Sequence, residues 1–358
     1  MLNRSATRLI PFLYAGILLI AGCTGYNRRE STELFPADSL SRHIAKQTDI
    51  DTLKVLWTTG GQRNNPHGLN YIGSLRFGQD RQLHVADVAE SMVFVFDTLG
   101  SLVERFDHPS LQFPYLLDIS GDTLAVHNAG SSTVDLYARD AYVLTRAIPA
   151  SNSRDALSVI PGYQAPWIFV KDLSTQEPSL HQLDAETGRE IARLALPGPT
   201  WRHKGVLRPW GTKLVSPSAY LPVVYVFDTD LSIDSLRLTG FDSPALNRTR
   251  SFVLGERDEP PLMIPSVAAF ENRLFVINLR PGWIRVDVYD DNGNLQNILV
   301  EPSPEAGSMN AVDIDVLKTG VGQYHIAVAS MSTAYGAVSL SYVPKLTVFR
   351  WERDLTDE

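Results

Sequence analysis

A five-residue pattern recurs six times along this chain, and it limits the possible folds more than any other feature. The copies are Leu83–Asp87, Leu124–Asn128, Ile168–Asp172, Leu214–Ser218, Leu274–Asn278 and Ile326–Ser330. Each opens on Leu or Ile, most have Val at the third place, and each ends on Asp, Asn or Ser. A second run follows each copy: Val93–Phe96, Val134–Tyr137, Leu180–Leu183, Val223–Phe227, Ile284–Tyr289 and Leu346–Trp351. Short β-branched and aromatic runs separated by Gly, Asn and Asp turns signal strands. Units repeating about every 40–60 residues, with four short strands each, specify an all-β, six-bladed β-propeller of antiparallel blades. The two ends of the chain test that register. Only Glu352–Glu358 follow the sixth unit, too few and too charged for its outer strand, whereas Leu53–Thr58 precedes the first unit and belongs to none. Leu53–Thr58 is therefore expected to close the ring as the outer strand of the last blade, which removes an unpaired edge. Thr239–Met263 has a weak strand pattern and reads as an insertion; a seventh blade there is the alternative.

The unit from Leu75 to Phe106 is the best formed. Its Val85-Ala86-Asp87, followed by Val93-Phe94-Val95-Phe96-Asp97 and Gly100, resembles the NHL repeat. Across about Leu53–Trp351 the chain is similar to six-bladed propellers of the NHL or TolB-like kind, bacterial lipoproteins among them. The resemblance implies a fold rather than a reaction. In such a meander the loops between second and third strands, and the connections between blades, emerge on one face. All the long insertions fall there: Pro197–Lys204, Thr239–Met263, Glu301–Met309 and Met331–Pro344. Long loops on a rigid scaffold concentrate binding residues. The candidate binding residues of this face are Trp201, Arg202, His203, Lys204, Arg280, Trp283, Tyr335 and His67. The basic run Arg202–Lys204 suits an anionic group, and the aromatic rings suit a sugar or a peptide.

Asp87, Asn128, Asp172, Ser218, Asn278 and Ser330 hold equivalent positions, so symmetry places them in a ring near the axis. Oxygen ligands suit a hard cation such as calcium, with Asp87, Asn128, Asp172 and Asn278 the candidates. The plainer expectation is that these residues accept backbone N–H bonds and fix the loops. No zinc helix, phosphate-cradling glycine loop or Gly-x-Ser-x-Gly elbow occurs. Calcium-dependent lactonases of the gluconolactonase kind are also six-bladed propellers. Their axial ligands include a Glu, and this chain offers none at a matching place.

The N-terminus supplies the address. Met1–Gly22 has Arg4 and Arg8 as its only charges, then the mostly apolar run Leu9–Ile20, too short to span a bilayer. It reads as a secretory signal peptide. The chain's one cysteine, Cys23, directly follows Leu19-Ile20-Ala21-Gly22 and resembles the lipobox of bacterial lipoproteins. That resemblance implies cleavage before Cys23, lipidation of its sulfur, and outer-membrane sorting, since Thr24 rather than Asp follows. Removing the two arginines leaves 30 basic and 40 acidic residues, net −10 against −8 for the whole chain. A surface of that charge does not suit nucleic acid. The expected organisation is 1–22 signal peptide, 23–50 lipidated cysteine and flexible tether, with a short helix within Asp38–Gln47 as the alternative, and 51–358 propeller.

The leading expectation is a membrane-anchored, non-catalytic binding or scaffold propeller presenting its loop-rich face to a peptide, glycan or protein partner. One alternative is a metal-dependent lactonase or lyase using the axial oxygens. Another is an envelope assembly factor.

Overall fold

The structure is a computed structural model that describes residues 38–61, 67–149, 156–160, 167–174, 177–303, 309–335 and 340–353. Cys23 and the signal segment lie outside the described residues, as does Pro66.

Six sheets form the blades, five of four strands and one of five. The first blade comprises Ile72–Phe77, Leu83–Asp87, Met92–Phe96 and Leu102–Phe106, each antiparallel to the next. First strands of successive blades touch around the ring, and Asn310–Gly320 of the sixth meets Ile72–Phe77 of the first. Second and third strands such as Leu83–Asp87 and Val223–Phe227 are buried along their whole length. They lie between neighbouring blades, so both faces are covered, and this is why they stand out in the sequence as unbroken apolar runs. Outer strands such as Glu190–Ala195 and Ile233–Arg237 are largely exposed or half-buried, and their pattern is correspondingly faint. The apolar core is accordingly distributed. One cluster sits at each blade junction, as where Val93 and Val95 of the first blade meet Leu124 and Val126 of the second.

Closure follows the expected register. Strand β2 (Lys54–Gly60) pairs antiparallel with Leu340–Glu352, Lys54 opposite Arg350 and Gly60 opposite Lys345. Thr239–Met263 carries the helix α2 (Leu246–Val253) and no strand, so the ring has six blades.

Residues 38–50, expected within the tether, take part in the folded body instead. Asp38–Gln47 forms a helix, α1, and Ile50–Thr52 a strand, β1, parallel to Leu295–Val300 of the fifth blade. Ser41, Ile44, Ala45 and Thr48 turn inward at helical spacing, and Ile44 and Ala45 join the cluster around Phe241 and Leu295. With only two apolar side chains in this stripe, the periodicity is hard to see in the sequence. The N-terminal segment thus pairs with the fifth blade through β1 and with the sixth through β2. Between them Leu53 is buried, and its amide donates to the Val300 carbonyl at 2.8 Å. Asp51 Oδ2 accepts from Trp351 Nε1 at 3.0 Å and Asn297 Nδ2 at 3.3 Å, so one carboxylate holds both blades.

Leu53→Ala is expected to lower unfolding free energy by about 2–5 kcal/mol in urea denaturation. Ile50→Ala, at a side chain 63% exposed on the same segment, is expected to change it by less than about 0.5 kcal/mol.

Candidate functional site

The first strands line the axis, and they bring charges to it. Arg76 comes from the first blade, Asp118 from the second, Arg208 from the fourth, and Asp313 with Asp315 from the sixth. Ser266 immediately precedes the first strand of the fifth. Asp313 is the hub. Its Oδ1 accepts from Arg208 Nη2 at 2.5 Å and Ser266 Oγ at 2.6 Å, and its Oδ2 accepts the Leu75 amide at 2.9 Å. Arg76 Nη1 lies 3.8 Å from Asp313 Oδ2, and Arg76 Nε donates to Asp118 Oδ1 at 3.3 Å. Arg76, Asp118, Arg208, Ser266 and Asp313 are all buried. Burial pushes the Asp313 carboxyl above the usual carboxylate range, against the opposing pull of Arg76. Asp315, whose Oδ2 accepts the Phe77 amide at 2.7 Å, is raised to about 6, again by burial. Buried charges need partners of this quality, because desolvation costs several kcal/mol per ion.

The axial ring expected from the second strands has a different role from the axial charges. Asp87 commits both carboxylate oxygens to backbone: Oδ2 accepts Asn70 N at 2.6 Å, and Oδ1 accepts Tyr71, Ala89 and Glu90 amides at 3.1 Å each. Asp172 Oδ1 accepts the Ser174 amide and hydroxyl. Asn128 Nδ2 donates to Asp135 at 2.9 Å and Asn278 Nδ2 to Asp287 at 2.7 Å. Among the described residues no three His, Cys, Asp or Glu side chains gather as a metal-binding group.

The basic run Arg202–Lys204 does not act as one patch. His203 is buried in a 3-10 turn, Thr200–His203, with Nε2 2.9 Å from the Pro197 carbonyl and its ring against Tyr225. Burial lowers its pKa to about 4, which leaves it neutral. The Arg202 guanidinium lies over the Trp201 ring at 5.6 Å, and Trp201 meets Phe252 of α2 edge-on at 5.1 Å. Only Lys204 of the run is exposed. Alternation along the chain concealed this, since a turn points neighbouring side chains in different directions. Arg280 is buried too. It shares Asp242 Oδ1 with Arg285, at 2.9 and 2.8 Å, and Arg285 Nε reaches Asp287 at 2.6 Å. His67 is half-buried, edge-on to Phe96 at 5.5 Å. Tyr335 ends the strand Gln323–Tyr335, opposite Leu340; its side chain lies outside the described residues. Trp283 is half-buried and lines a small recess with Met309, Glu301, Ser330 and Lys345.

Two features escaped the sequence reading. One is a polar relay in which Ser110 Oγ lies 2.8 Å from His108 Nδ1 and 2.5 Å from Tyr137 Oη, with Tyr137 donating to Asp135 at 3.2 Å. Its Asp135 and Tyr137, with Asn128 donating to the same carboxylate, recur in the fifth blade as Asp287, Tyr289 and Asn278. The Asp-x-Tyr pairs Asp135-Tyr137 and Asp287-Tyr289, each downstream of the Asn that closes the recurring pattern at Asn128 and Asn278, were the available signal. The other is a cleft of about 400 Å³ between the sixth blade and the 301–303 connection that leads to it, lined by Thr58, Glu301 and Lys345 among others.

No protein family's sequence profile matches the chain, and no curated protein matches it in sequence. Solved structures do. Virginiamycin B lyase from Staphylococcus aureus superposes with TM-score 0.50 at 9% identity, over 83% of this chain and 99% of that one. A streptogramin B lyase gives TM-score 0.49 at 11% identity, covering 82% and 97%. Glutaminyl cyclase from Myxococcus xanthus gives 0.42 at 10%, covering 86% and 100%. At these identities the likeness is one of fold, and fold does not carry chemistry.

Arg208→Ala leaves Asp313 buried without its closest cation and is expected to destabilise by about 3–5 kcal/mol, whereas exposed Lys204→Ala stays within about 0.5 kcal/mol, both by urea denaturation. Asp315 has a second signature. Its folded value of about 6 exceeds the unfolded value near 3.9, so the folded state binds the extra proton and stability falls as pH rises through that window. Asp315→Asn is expected to raise the melting temperature at pH 7.5 and to match the parent near pH 4 in thermal scans.

Proposed function

We propose that the protein is a lipid-anchored binding propeller of the bacterial cell envelope, non-catalytic and tethered through Cys23. The observation that carries this reading is the state of the axis. Arg76 is hydrogen-bonded to Asp118 and Arg208 to Asp313 across the blades, and Asp313 accepts from Ser266 and Leu75 as well. Groups held in that way rigidify a scaffold. Such commitment to one another supports a scaffold role over a proton-transfer or cation site at the axis. Binding then belongs to the loop-rich face, where Trp283 and the neighbouring cleft lie.

The anchor rests on Leu19-Ile20-Ala21-Gly22-Cys23. Burying lipid methylenes holds such a chain at a bilayer. Only residues 24–37 separate Cys23 from α1, a span of at most about 50 Å even if fully extended. A propeller on so short a lead stays close to its membrane and meets partners there. The leading sorting signal is for the outer membrane, and the partner is a peptide, glycan or protein of the envelope.

Expression of the full chain in a lipoprotein-processing bacterium tests the anchor. The expected result is a membrane-fraction protein whose first residue is a lipid-modified Cys23 by mass spectrometry, and release of Cys23→Ala from that fraction. An unmodified N-terminus, or Cys23→Ala retained in the membrane, overturns it.

A further inference from the structure

Helix α2 begins without a cap. Its N-cap residue, Ala245, has no side-chain oxygen, and the first turn contains no acidic residue. The Leu246 amide donates to the Ser243 carbonyl at 3.2 Å. Among the described residues no acceptor meets the next two amides, those of Asn247 and Arg248. These are the amides that an N-cap side chain ordinarily satisfies. Aligned peptide dipoles add partial positive charge at the same end, and a terminus in that state suits an anion.

A pocket of about 200 Å³ opens at this first turn, lined by Ser243, Leu246 and Asn247 of the insertion and by Ser41 and Arg42 of α1. Two residues of α1 point to the same class of ligand. Ser41 is 1% exposed, and its Oγ is buried without a hydrogen-bond partner. A buried hydroxyl left in that state costs free energy, which an incoming acceptor removes. Arg42, beside it, brings a cation to the lining. Asp242 supplies a carboxylate there, but its Oδ1 is held by Arg280 at 2.9 Å and Arg285 at 2.8 Å, and Arg285 also pairs with Asp287. Those two carboxylates and two guanidiniums cancel, so Arg42 sets the sign of the pocket.

We infer that this pocket is a binding site for a phosphate monoester or free phosphate. Its volume falls below the range of drug-sized sites, about 300–1,000 Å³, so it takes one compact charged group. The donors belong to two elements, the first-turn amides of α2 and the Ser41 hydroxyl and Arg42 guanidinium of α1. A phosphate monoester presents three strong acceptor oxygens and nearly two negative charges, and Arg matches its oxygens well. A carboxylate has one oxygen and one charge fewer. Such a group is carried by soluble phosphates and by lipid headgroups that end in a monoester, as phosphatidate does. The lipid source rests on the anchor reading above, since residues 24–37 alone separate Cys23 from α1.

The test uses the full chain in a neutral maltoside detergent, titrated with inorganic phosphate and with dihexanoyl-phosphatidate, and with sodium chloride at equal ionic strength. Calorimetry reads affinity, and hydrogen exchange reads the amides of Leu246–Val253. Saturable binding of at least one phosphate probe is expected, with slower exchange at Asn247 and Arg248. Tighter binding of phosphatidate assigns a lipid headgroup; inorganic phosphate binding equally well or better assigns a soluble phosphate. Arg42→Ala, at an exposed side chain, should weaken binding about tenfold. Asn247→Asp puts a carboxylate in the first turn, where it suits the helix. The melting temperature should therefore hold while binding falls by at least about tenfold. Ser41→Ala should weaken binding about threefold without lowering the melting temperature, because its hydroxyl has no partner to lose. Unchanged affinity in Asn247→Asp overturns the assignment, as does a chloride response equal to that of phosphate. Absence of saturable binding of either probe up to about 10 mM, beyond the weak end of specific affinity, overturns it too. Any of these failures, in a chain that Cys23→Ala still releases from membranes, removes the phosphate site and leaves the anchored propeller standing.

Discussion

The carboxylate of Asp313 accepts from Arg208 of the fourth blade, Ser266 at the start of the fifth and the Leu75 amide of the first, while belonging itself to the sixth. A propeller's apolar core lies at the blade junctions, so nothing hydrophobic need fill the point where the first strands converge. Here a charged network fills it, and Arg76 extends it to Asp118 of the second blade. Each ion is buried, and each is viable only because its partners are held at hydrogen-bonding distance by rigid strands. The strands in turn are oriented by those bonds. The ring and its plug depend on one another.

Closure at the rim works by a related device at smaller scale. Asp51 accepts from Asn297 and Trp351, and β1 and β2 pair with the fifth and sixth blades on either side of buried Leu53. A ring that would otherwise open between its first and last blades is joined by both ends of the chain. The cleft lined by Thr58, Glu301 and Lys345 lies on the sixth blade, on a frame that both the rim clasp and the axial network hold fixed. Preorganised walls of that kind favour binding, because little ordering entropy is lost when a ligand arrives.

Much of the fold was legible in sequence, and the reason is burial. Strands covered on both faces, such as Leu83–Asp87, write continuous apolar runs, and the displaced strand Leu53–Thr58 revealed closure by simple mismatch of ends. Helix α1 was legible only as an alternative to a tether over Asp38–Gln47, because only Ile44 and Ala45 mark its inward stripe with apolar residues. The site was less legible. The second-strand Asp, Asn and Ser residues recur because loops need acceptors, as Asp87 shows with its backbone amides. The axial charges sit on first strands, where Arg76, Asp118, Arg208 and Asp315 share one register, opposite the second place of the recurring pattern at His84, Ala125, Val215 and Ala327, with Asp313 two residues earlier; the first strands carry too little apolar pattern of their own for that alignment to stand out. Burial of His203 and Arg280 depends on contacts with Tyr225 and Asp242, distant in sequence from one or both, and no local pattern encodes them. The cleft joins Thr58, Glu301 and Lys345 from three separate segments.

Hydrogen exchange in Asp313→Ala tests the central dependence most directly. If the axial carboxylate holds the ring, amide protection falls together in Ile72–Phe77, Arg208–Trp210 and Val267–Phe270, the first strands of the blades it touches, and not only in Asn310–Gly320 around the substitution. Loss of protection confined to Asn310–Gly320, with Leu75 exchanging as slowly as in the parent, would contradict the account.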